Sequence, residues 1–396
     1  MIKTQIKLFD NSLNYLLLTK CEVDNLKIDL NKLELKYSTN KIDVIHYRNY
    51  NSKKFGIDDL LLDNNFINLI SIQSLDDGTN SLLDIVNRFK NTDIPIYFIG
   101  DICSEREIFS PNNTEKDNQI IDLISNTKNI KVLHHLINLN TKNFIFCPKL
   151  LFYGMINYIP TTVIYDYFYE YWNSIKKEYR IGYHLNRLYD GTRVRILNTI
   201  INSKIIENDK IFVSINQSQN NSEYYNKSYK KFIIKNNLIH SHDDIGANGI
   251  WYICNFFNLS IKSDIELVYE TNPMNPLNFK HKNLTEKSIK PIMLGKPTIY
   301  IDNTSHNFIK RLGFKTYDLL LSDNLLKIYN AKENIPNKNE LDNLIPDFLN
   351  ESIDKLLKMK KADYDKVLDA CKSIAEYNKN VFYRIMYKQT ITNLLK

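Results

Sequence analysis

The sequence predicts a mixed α/β protein of two domains, each a parallel sheet with helices on its faces. Short apolar runs alternate with polar or helix-period segments along most of the chain, which is how strand–helix–strand units read. Several of those runs are apolar throughout, as strands buried on both faces must be. At 396 residues the chain suits two domains of ordinary size better than one, and its 43% hydrophobic and 24% charged content suits a globular core.

In the first part of the chain, Leu13 to Leu18, Ile42 to Tyr47 and Phe66 to Ile72 read as strands, the last followed by the turn Asp76-Asp77-Gly78. Ser81 to Phe89 is a helix, because Leu82, Leu83, Ile85, Val86 and Phe89 recur at helical spacing. Ile94 to Ile99 is a strand ending on Gly100-Asp101. Thr114 to Ser125 is a helix with Thr114 as N-cap, and Ile130 to Leu136 is again a strand. Asn143 to Tyr171 is strongly aromatic and reads as packing between domains or as a wall for sugar stacking. The first domain is expected over 1–172, with a charged linker from Asn173 to Tyr179.

A second domain is expected over 180–335. Ile181 to Leu185 is its first strand. A basic cluster follows, Arg187, Arg193 and Arg195, and Thr192 caps a helix with Val194, Leu197 and Ile201 on one face. Arginine forks match phosphate oxygens in a strand-to-helix junction, and two positions so close along a helix point to different faces, so only one of Arg193 and Arg195 is expected to reach a ligand. Ile211 to Ile215 is the next strand, followed by a polar, Asn-rich loop. Ile265 to Tyr269 is a buried strand that ends on Glu270, Thr271 and Asn272, polar groups where strand carboxyl ends meet a ligand crevice.

Thr285 then reads as a helix N-cap with Glu286 and Lys287 in the first turn. Ile289, Ile292 and Met293 form the apolar face, Pro291 kinks or shortens the helix, and Gly295 closes it before the strand Thr298 to Ile301. Amides at such an amino end attract phosphate; Lys287 adds a full charge for a diphosphate, Glu286 accepts from ribose hydroxyls, and Lys290 pairs with Glu286 or faces phosphate. Solvated charges on a capped surface helix are the plainer reading of the same residues. Over 336–396 three helices are expected: Asn339 to Ile345, stopped by Pro346, then Ser352 to Leu368 and Lys379 to Leu395.

The net charge of +7 suits an anionic nucleotide or nucleic acid without requiring either. No apolar run is long enough to span a membrane, and the amino terminus is too interrupted by charge for a signal peptide. Five scattered cysteines, none at zinc-ligand spacing, are expected as reduced thiols in the cytoplasm. Heavy use of Asn, Ile and Lys reads as AT-rich coding. His240-Ser241-His242-Asp243-Asp244 is the one metal-like spacing, and a metal-dependent hydrolase built on His240 and His242 is one rival function. Walker, G-x-G-x-x-G, H-E-x-x-H and G-x-S-x-G motifs are absent. Asp363-Tyr364-Asp365 falls inside a helix, the wrong place for a metal-binding D-x-D that must follow a strand.

The segment TEKSIKPIMLGKPTIYI…FIKRLGFKTYD resembles a motif of phage- and virus-encoded GT-B-like glycosyltransferases. Their pattern is approximately TEKT-x-KPI, a small-residue turn, an apolar strand, then L-x-x-LGFKTF. Ser288 stands for the second Thr and Tyr317 for the last Phe. The segment is also similar to the TEK motif of fucosyltransferases, where Glu and Lys hold the nucleotide. A weaker match covers Arg180 to Asn216. Residues 1 to 150 carry no motif-level match, and Glu270-Thr271 replaces the Glu-Asn pair of the fucosyltransferases, with the Asn displaced to Asn272.

The resemblance implies a GT-B-like fold, two Rossmann-like domains facing a central cleft, with C-terminal helices packing on or crossing back to the first domain. It implies a glycosyltransferase that needs no metal and no cofactor, with a nucleotide-diphosphate sugar as co-substrate. Donor-binding residues would be Arg187, Arg193, Arg195, Glu270, Asn272, Thr285, Glu286, Lys287 and Lys290. An acceptor glycan, protein or modified base of viral DNA would meet a general base on the opposite domain; Asp101 is the expected base, with Glu105, Asp76 and Asp77 competing. If the source is a virus, the compartment is the host cytoplasm. A second rival keeps the fold as a non-catalytic nucleotide- or nucleic-acid-binding protein.

Overall fold

A computed structural model describes residues 6–8, 27–29, 34–36, 44–46, 62, 67–72, 78–99, 114–134, 141–148, 172–185, 191–203, 209–216, 239–240, 262–269, 288, 291–292, 294–330 and 338–385. The chain divides into two compact units. One comprises Met1–Ile164, Leu277–Thr285 and Tyr383–Lys396, the other Tyr165–Pro276 and Glu286–Phe382.

The first unit holds β1 (Ile6–Leu8), β2 (Lys27–Asp29), β3 (Glu34–Lys36), β4 (Val44–His46), β5 (Ile67–Ser71), α1 (Gly78–Phe89), β6 (Ile96–Ile99), α2 (Thr114–Ser125), β7 (Ile130–His134) and β8 (Phe144–Phe146). Six strands form one sheet in the order β4-β1-β5-β6-β7-β8, parallel throughout, while β2 and β3 form a separate antiparallel pair. The sheet strands are apolar because both faces are covered. Ile96 to Ile99 is wholly buried, and Leu82, Ile85 and Val86 of α1 and Ile120 and Ile124 of α2 pack in the same cluster as Ile70, Phe98 and Val132. Asn143 takes a positive φ of 74°, which Asn tolerates better than most residues. Its amide donates to the carbonyls of Ile124 (2.7 Å) and Thr127 (2.8 Å), closing the end of α2.

The second unit holds β9 (Tyr179–Leu185), α3 (Gly191–Asn202), β10 (Ile211–Asn216), β11 (Ile239–His240), β12 (Ser263–Val268), β13 (Thr298–Tyr300), α4 (Asn303–Arg311), a short 3₁₀ turn (Asp318–Leu320), α5 (Asp323–Asn330), α6 (Lys338–Lys358) and most of α7 (Lys361–Tyr383). Its sheet runs β11-β10-β9-β12-β13, again all parallel. Both strand orders are compatible with Rossmann-like α/β folds. No helix among the described residues is long and apolar enough to cross a membrane.

The described strands and helices follow the apolar pattern closely, with one clear departure in the C-terminal helices. Leu13 to Leu18 lies outside the described residues; the first strand there is Ile6–Leu8. The helix after β9 already includes Thr192; Ile196, Leu197 and Ile200 are buried and Ile201 packs against the same cluster, while the Val194 side chain lies outside the described ones. Pro346 does not stop a helix. It sits buried inside α6, a single helix of 21 residues. A proline lacks one donor and crowds the preceding turn, but Leu349, Ile353, Leu356 and Leu357 bury a continuous face against β9 and α3, and that burial outweighs the local loss. The real break falls at Met359-Lys360, so the expected helix Ser352 to Leu368 is divided between the end of α6 and the start of α7, and the expected helix Lys379 to Leu395 begins inside α7 and continues outside the described residues.

Arg180 makes that break. Its Nη1 donates to the carbonyls of Leu356 (2.7 Å), Leu357 (3.2 Å) and Met359 (2.9 Å). These are last-turn carbonyls with no partner inside the helix, where a cation is also favoured by the helix dipole. The guanidinium stacks 4.2 Å from the ring centroid of Tyr364 on α7, and Tyr364 Oη lies 3.2 Å from both the Arg180 carbonyl and Asp264 Oδ2. One side chain on β9 thus joins the ends of two helices to the sheet. Arg180→Met should lower the thermal unfolding midpoint by roughly 4–8 °C, the equivalent of about 2 kcal/mol; an unchanged midpoint in a calorimetric scan contradicts this role.

Candidate functional site

In the second sheet the strand order reverses at β9. The chain leaves β9 through α3 to β10 and β11 on one side, then returns to β12 on the other. Loops diverge at such a point, and the crevice they open lies beyond the carboxyl ends of the two central strands. Here those ends are Leu185 of β9 and Val268 of β12.

A helical segment containing Ser288, Pro291, Ile292 and Leu294 precedes β13. Its carboxyl end is closed as expected. Gly295 has φ 63°, its N–H donates to Ile292 O (3.0 Å) and the Lys296 N–H to Pro291 O (2.8 Å). This is the Schellman pattern, which needs a left-handed residue that glycine adopts without a Cβ clash. The other end is located by Ser288, which is fully buried and whose carbonyl accepts from Tyr300 Oη at 3.3 Å. Tyr300 is the last residue of β13. From Ser288 the segment therefore runs antiparallel to β13, with Ser288 at the carboxyl edge of the sheet. The start of α3 lies at the same edge, because α3 directly follows β9. The start of α3 and Ser288 thus share this edge, and helix amino ends carry a partial positive charge that favours an anion.

Most of the predicted ligand-binding side chains are not placed. Arg187, Glu270, Asn272, Thr285, Glu286, Lys287 and Lys290 lie outside the described residues, as do Asp101 and its competitors Glu105, Asp76 and Asp77. In sequence, Arg187 comes two residues after the end of β9, Glu270 two after the end of β12, Lys287 one before Ser288, and Asp101 two after the end of β6. Positions 193 and 195 fall in the first two turns of α3. By helical phase, position 193 shares the row of Ile196, Leu197 and Ile200, and position 195 does not. Tyr269, which continues β12, is buried. His240 ends β11 and His242 lies outside the described residues; among the described residues no three His, Cys, Asp or Glu side chains gather as metal ligands would.

The motif downstream of β13 is held rigidly. Asp302 caps α4 by accepting from the Ser305 N–H at 2.7 Å. Gly313 (φ 91°) ends α4 with a second Schellman turn, Gly313 N–H to Lys310 O (2.9 Å) and Phe314 N–H to Ile309 O (3.2 Å). Lys315 of the GFKTYD stretch exchanges two 2.8 Å hydrogen bonds with Asn378 of α7. Thr316 donates to Asp318 Oδ1 (2.6 Å), Lys310 to Oδ2 (3.0 Å), and His306 Nε2 sits 3.3 Å from Oδ1. The His306 ring packs 4.6 Å from that of Tyr329, whose hydroxyl reaches the carbonyls of Tyr300 (2.6 Å) and Ile301 (2.8 Å) at the end of β13. This cluster is a brace behind the carboxyl edge.

Burial lowers the His306 pKa from its ordinary 6.5, although the Asp318 hydrogen bond and charge oppose the shift. The ring is accordingly neutral at pH 7, and its contact with Asp318 is a hydrogen bond from Nε2–H. Burial alone would raise Asp318; hydrogen bonds from His306, Thr316 and Lys310 overcome it and hold the carboxyl well below the usual range. With His306 neutral, the full positive charge beside Asp318 is that of Lys310.

At the amino edge lies a buried ion pair that the sequence reading missed. Lys296 Nζ, wholly enclosed, donates to Glu266 Oε2 (2.6 Å) and Ser263 Oγ (2.8 Å). Burial lowers the Lys296 pKa while Glu266 raises it. Glu266 inside the apolar run of β12 was the available signal, because a carboxylate in a doubly covered strand requires a partner.

No protein-family model matches the chain, and no curated protein sequence matches it at a significant level. The carboxyl edge of the second sheet is the candidate site on geometry alone. Stability of the brace should depend on pH with a defined sign. The unfolded His306 ring takes up its proton near pH 6.5, the folded ring only at lower pH, so stability falls as pH drops from about 7 to 5. The lowered Asp318 carboxyl adds a loss of the same sign below pH about 4. His306→Gln should flatten the decline of the thermal midpoint between pH 7 and 5; an unchanged slope in the variant contradicts the assignment.

Proposed function

We propose that the chain is a glycosyltransferase of the GT-B type, moving a sugar from a nucleotide-diphosphate donor to a glycan, protein or modified DNA base. One observation carries the reading: Ser288, in the helical segment before β13, lies at the carboxyl edge of a parallel sheet whose strand order reverses at β9. The TEK stretch immediately precedes Ser288, and the resemblance gives its Glu286 and Lys287 to the nucleotide. Two further features support it. Both sheets are parallel with Rossmann-compatible orders, and Tyr383–Lys396 groups with the first unit, the connectivity GT-B chains use.

In this reading Lys287 and the helix amides meet the diphosphate, Glu286 accepts from the ribose, and Arg187 with one of Arg193 and Arg195 adds guanidinium contacts to phosphate. Helical phase favours Arg193. Glu270 and Asn272, following β12, face the sugar. As the glycosidic bond breaks, negative charge develops on the leaving diphosphate, and preorganised donors stabilise it without a metal. Asp101, following β6 in the first unit, takes the acceptor proton.

Lys287→Ala should weaken binding of nucleotide-diphosphate sugars by roughly tenfold or more, since loss of a charge-assisted hydrogen bond costs about 1.5–3 kcal/mol. Calorimetric titration with a panel of uridine, guanosine and adenosine diphosphate sugars reads this directly. Near-wild-type affinity in the variant removes the donor-site assignment; binding without transfer from a labelled donor favours the non-catalytic alternative.

A further inference from the structure

The helical segment before β13 is tied to the sheet at two points. At its carboxyl end the Schellman turn at Gly295 leads straight into Lys296, whose enclosed Nζ lies 2.6 Å from Glu266 Oε2 on β12. At Ser288 the tie is a hydrogen bond: Tyr300 Oη donates to the Ser288 carbonyl at 3.3 Å, and both residues are buried. Pro291 and Ile292, between the two ties, are buried as well.

Tyr300 is itself held from several sides. It is the last residue of β13 and stands opposite Val268 of β12. Its carbonyl accepts from Tyr329 Oη at 2.6 Å, and the same hydroxyl lies 2.8 Å from Ile301 O. The Tyr329 ring in turn packs against His306, with centroids 4.6 Å apart. A buried tyrosine hydroxyl needs a partner, and a tyrosine ring has little rotational freedom with which to choose one. The Ser288 carbonyl therefore meets a donor whose place is set by the strand and not by the segment.

Lys287 directly precedes Ser288 in the chain. Whatever fixes the Ser288 backbone fixes the point from which the Lys287 side chain extends. We propose that Tyr300 is a positioning residue of the donor site: its hydroxyl, by holding the Ser288 carbonyl, aims Lys287 at the diphosphate of a sugar nucleotide. The inference rests on the transferase reading and adds to it a residue that acts through Lys287. Charged groups bind well only when the groups behind them fix their geometry.

Other buried hydroxyls of this unit have other partners. Tyr329 Oη serves the carbonyls at the end of β13, and Thr316 Oγ1 donates to Asp318 at 2.6 Å inside the brace. Tyr364 Oη meets Arg180 O and Asp264 Oδ2 at the amino edge. Of these four, Tyr300 is the one that reaches the residue next to the TEK stretch. Its contact can be removed cleanly. Phenylalanine keeps the ring, its burial and its shape, and loses only the hydrogen bond to Ser288.

Calorimetric titration of the full chain and its variants with uridine, guanosine and adenosine diphosphate sugars tests it. Tyr300→Phe should weaken binding roughly fivefold, the effect of one ordinary hydrogen bond, while its thermal midpoint falls by no more than about 4 °C. Tyr364→Phe removes a comparable buried hydroxyl at the amino edge and should leave the affinity unchanged. In a Lys287→Ala background Tyr300→Phe should weaken binding no further, because the two residues act through one contact; a purely structural role would give additive losses. Wild-type affinity in Tyr300→Phe, or a loss that persists in full without Lys287, overturns the inference and leaves the donor site standing. No binding of any of these sugars by the wild-type chain removes the donor site and the inference together.

Discussion

Ile181 stands opposite Ile265 in the parallel pairing of β9 with β12, and the organisation of the second unit follows from that register. Once these strands are neighbours, β10 and β11 must lie on one side and β13 on the other. The connections then diverge above the pair, and the described crossovers, α3 and the segment before β13, return antiparallel to the strands. Amino ends of helices accumulate at one edge of the sheet and carboxyl ends at the other. The two edges are made electrically unlike by the backbone before any side chain is considered. An anion belongs at the carboxyl edge of the strands, and cations belong where helices end.

Side chains at the amino edge agree with that polarity. Arg180 supplies a cation to the last carbonyls of α6, and Lys296 meets Glu266 in the interior. Such a buried pair adds little net stability relative to apolar residues, yet removal of either partner would strand a charge in a dry site. Its effect is to fix register: Glu266 on β12 and Lys296 before β13 can meet only if Glu266 lies opposite Thr298, as it does. Around the motif, the His306–Asp318–Lys310 group and the Asn378–Lys315 exchange hold the stretch after β13 against α7. Chemistry proposed for the carboxyl edge thus rests on a frame fixed from behind.

The strands were legible in the sequence because parallel sheets need apolar runs without alternation, and Ile96–Ile99 and Ile265–Val268 supply them. Gly295 was legible as a helix end for the same kind of reason, since few other residues fit φ 63°. The continuity of α6 through Pro346 was not, because local propensity argues for a stop and only the distant apolar partners on β9 and α3 overrule it. Arg180 was not legible as a cap, since its three acceptors lie more than a hundred residues along the chain. Of the proposed site, sequence spacing supplied the TEK residues and the polar strand ends; the structure adds Ser288, in the helical segment before β13, held beside Tyr300 at the carboxyl edge.

Hydrogen–deuterium exchange with and without a nucleotide-diphosphate sugar tests the central claim most directly. The account predicts simultaneous protection of three stretches, 186–195, 269–272 and 285–288, which follow or precede the carboxyl edge of the second sheet, and no change at 172–177 or 364–372. Protection confined to the amino-edge stretches, or none at saturating nucleotide sugar, would contradict it.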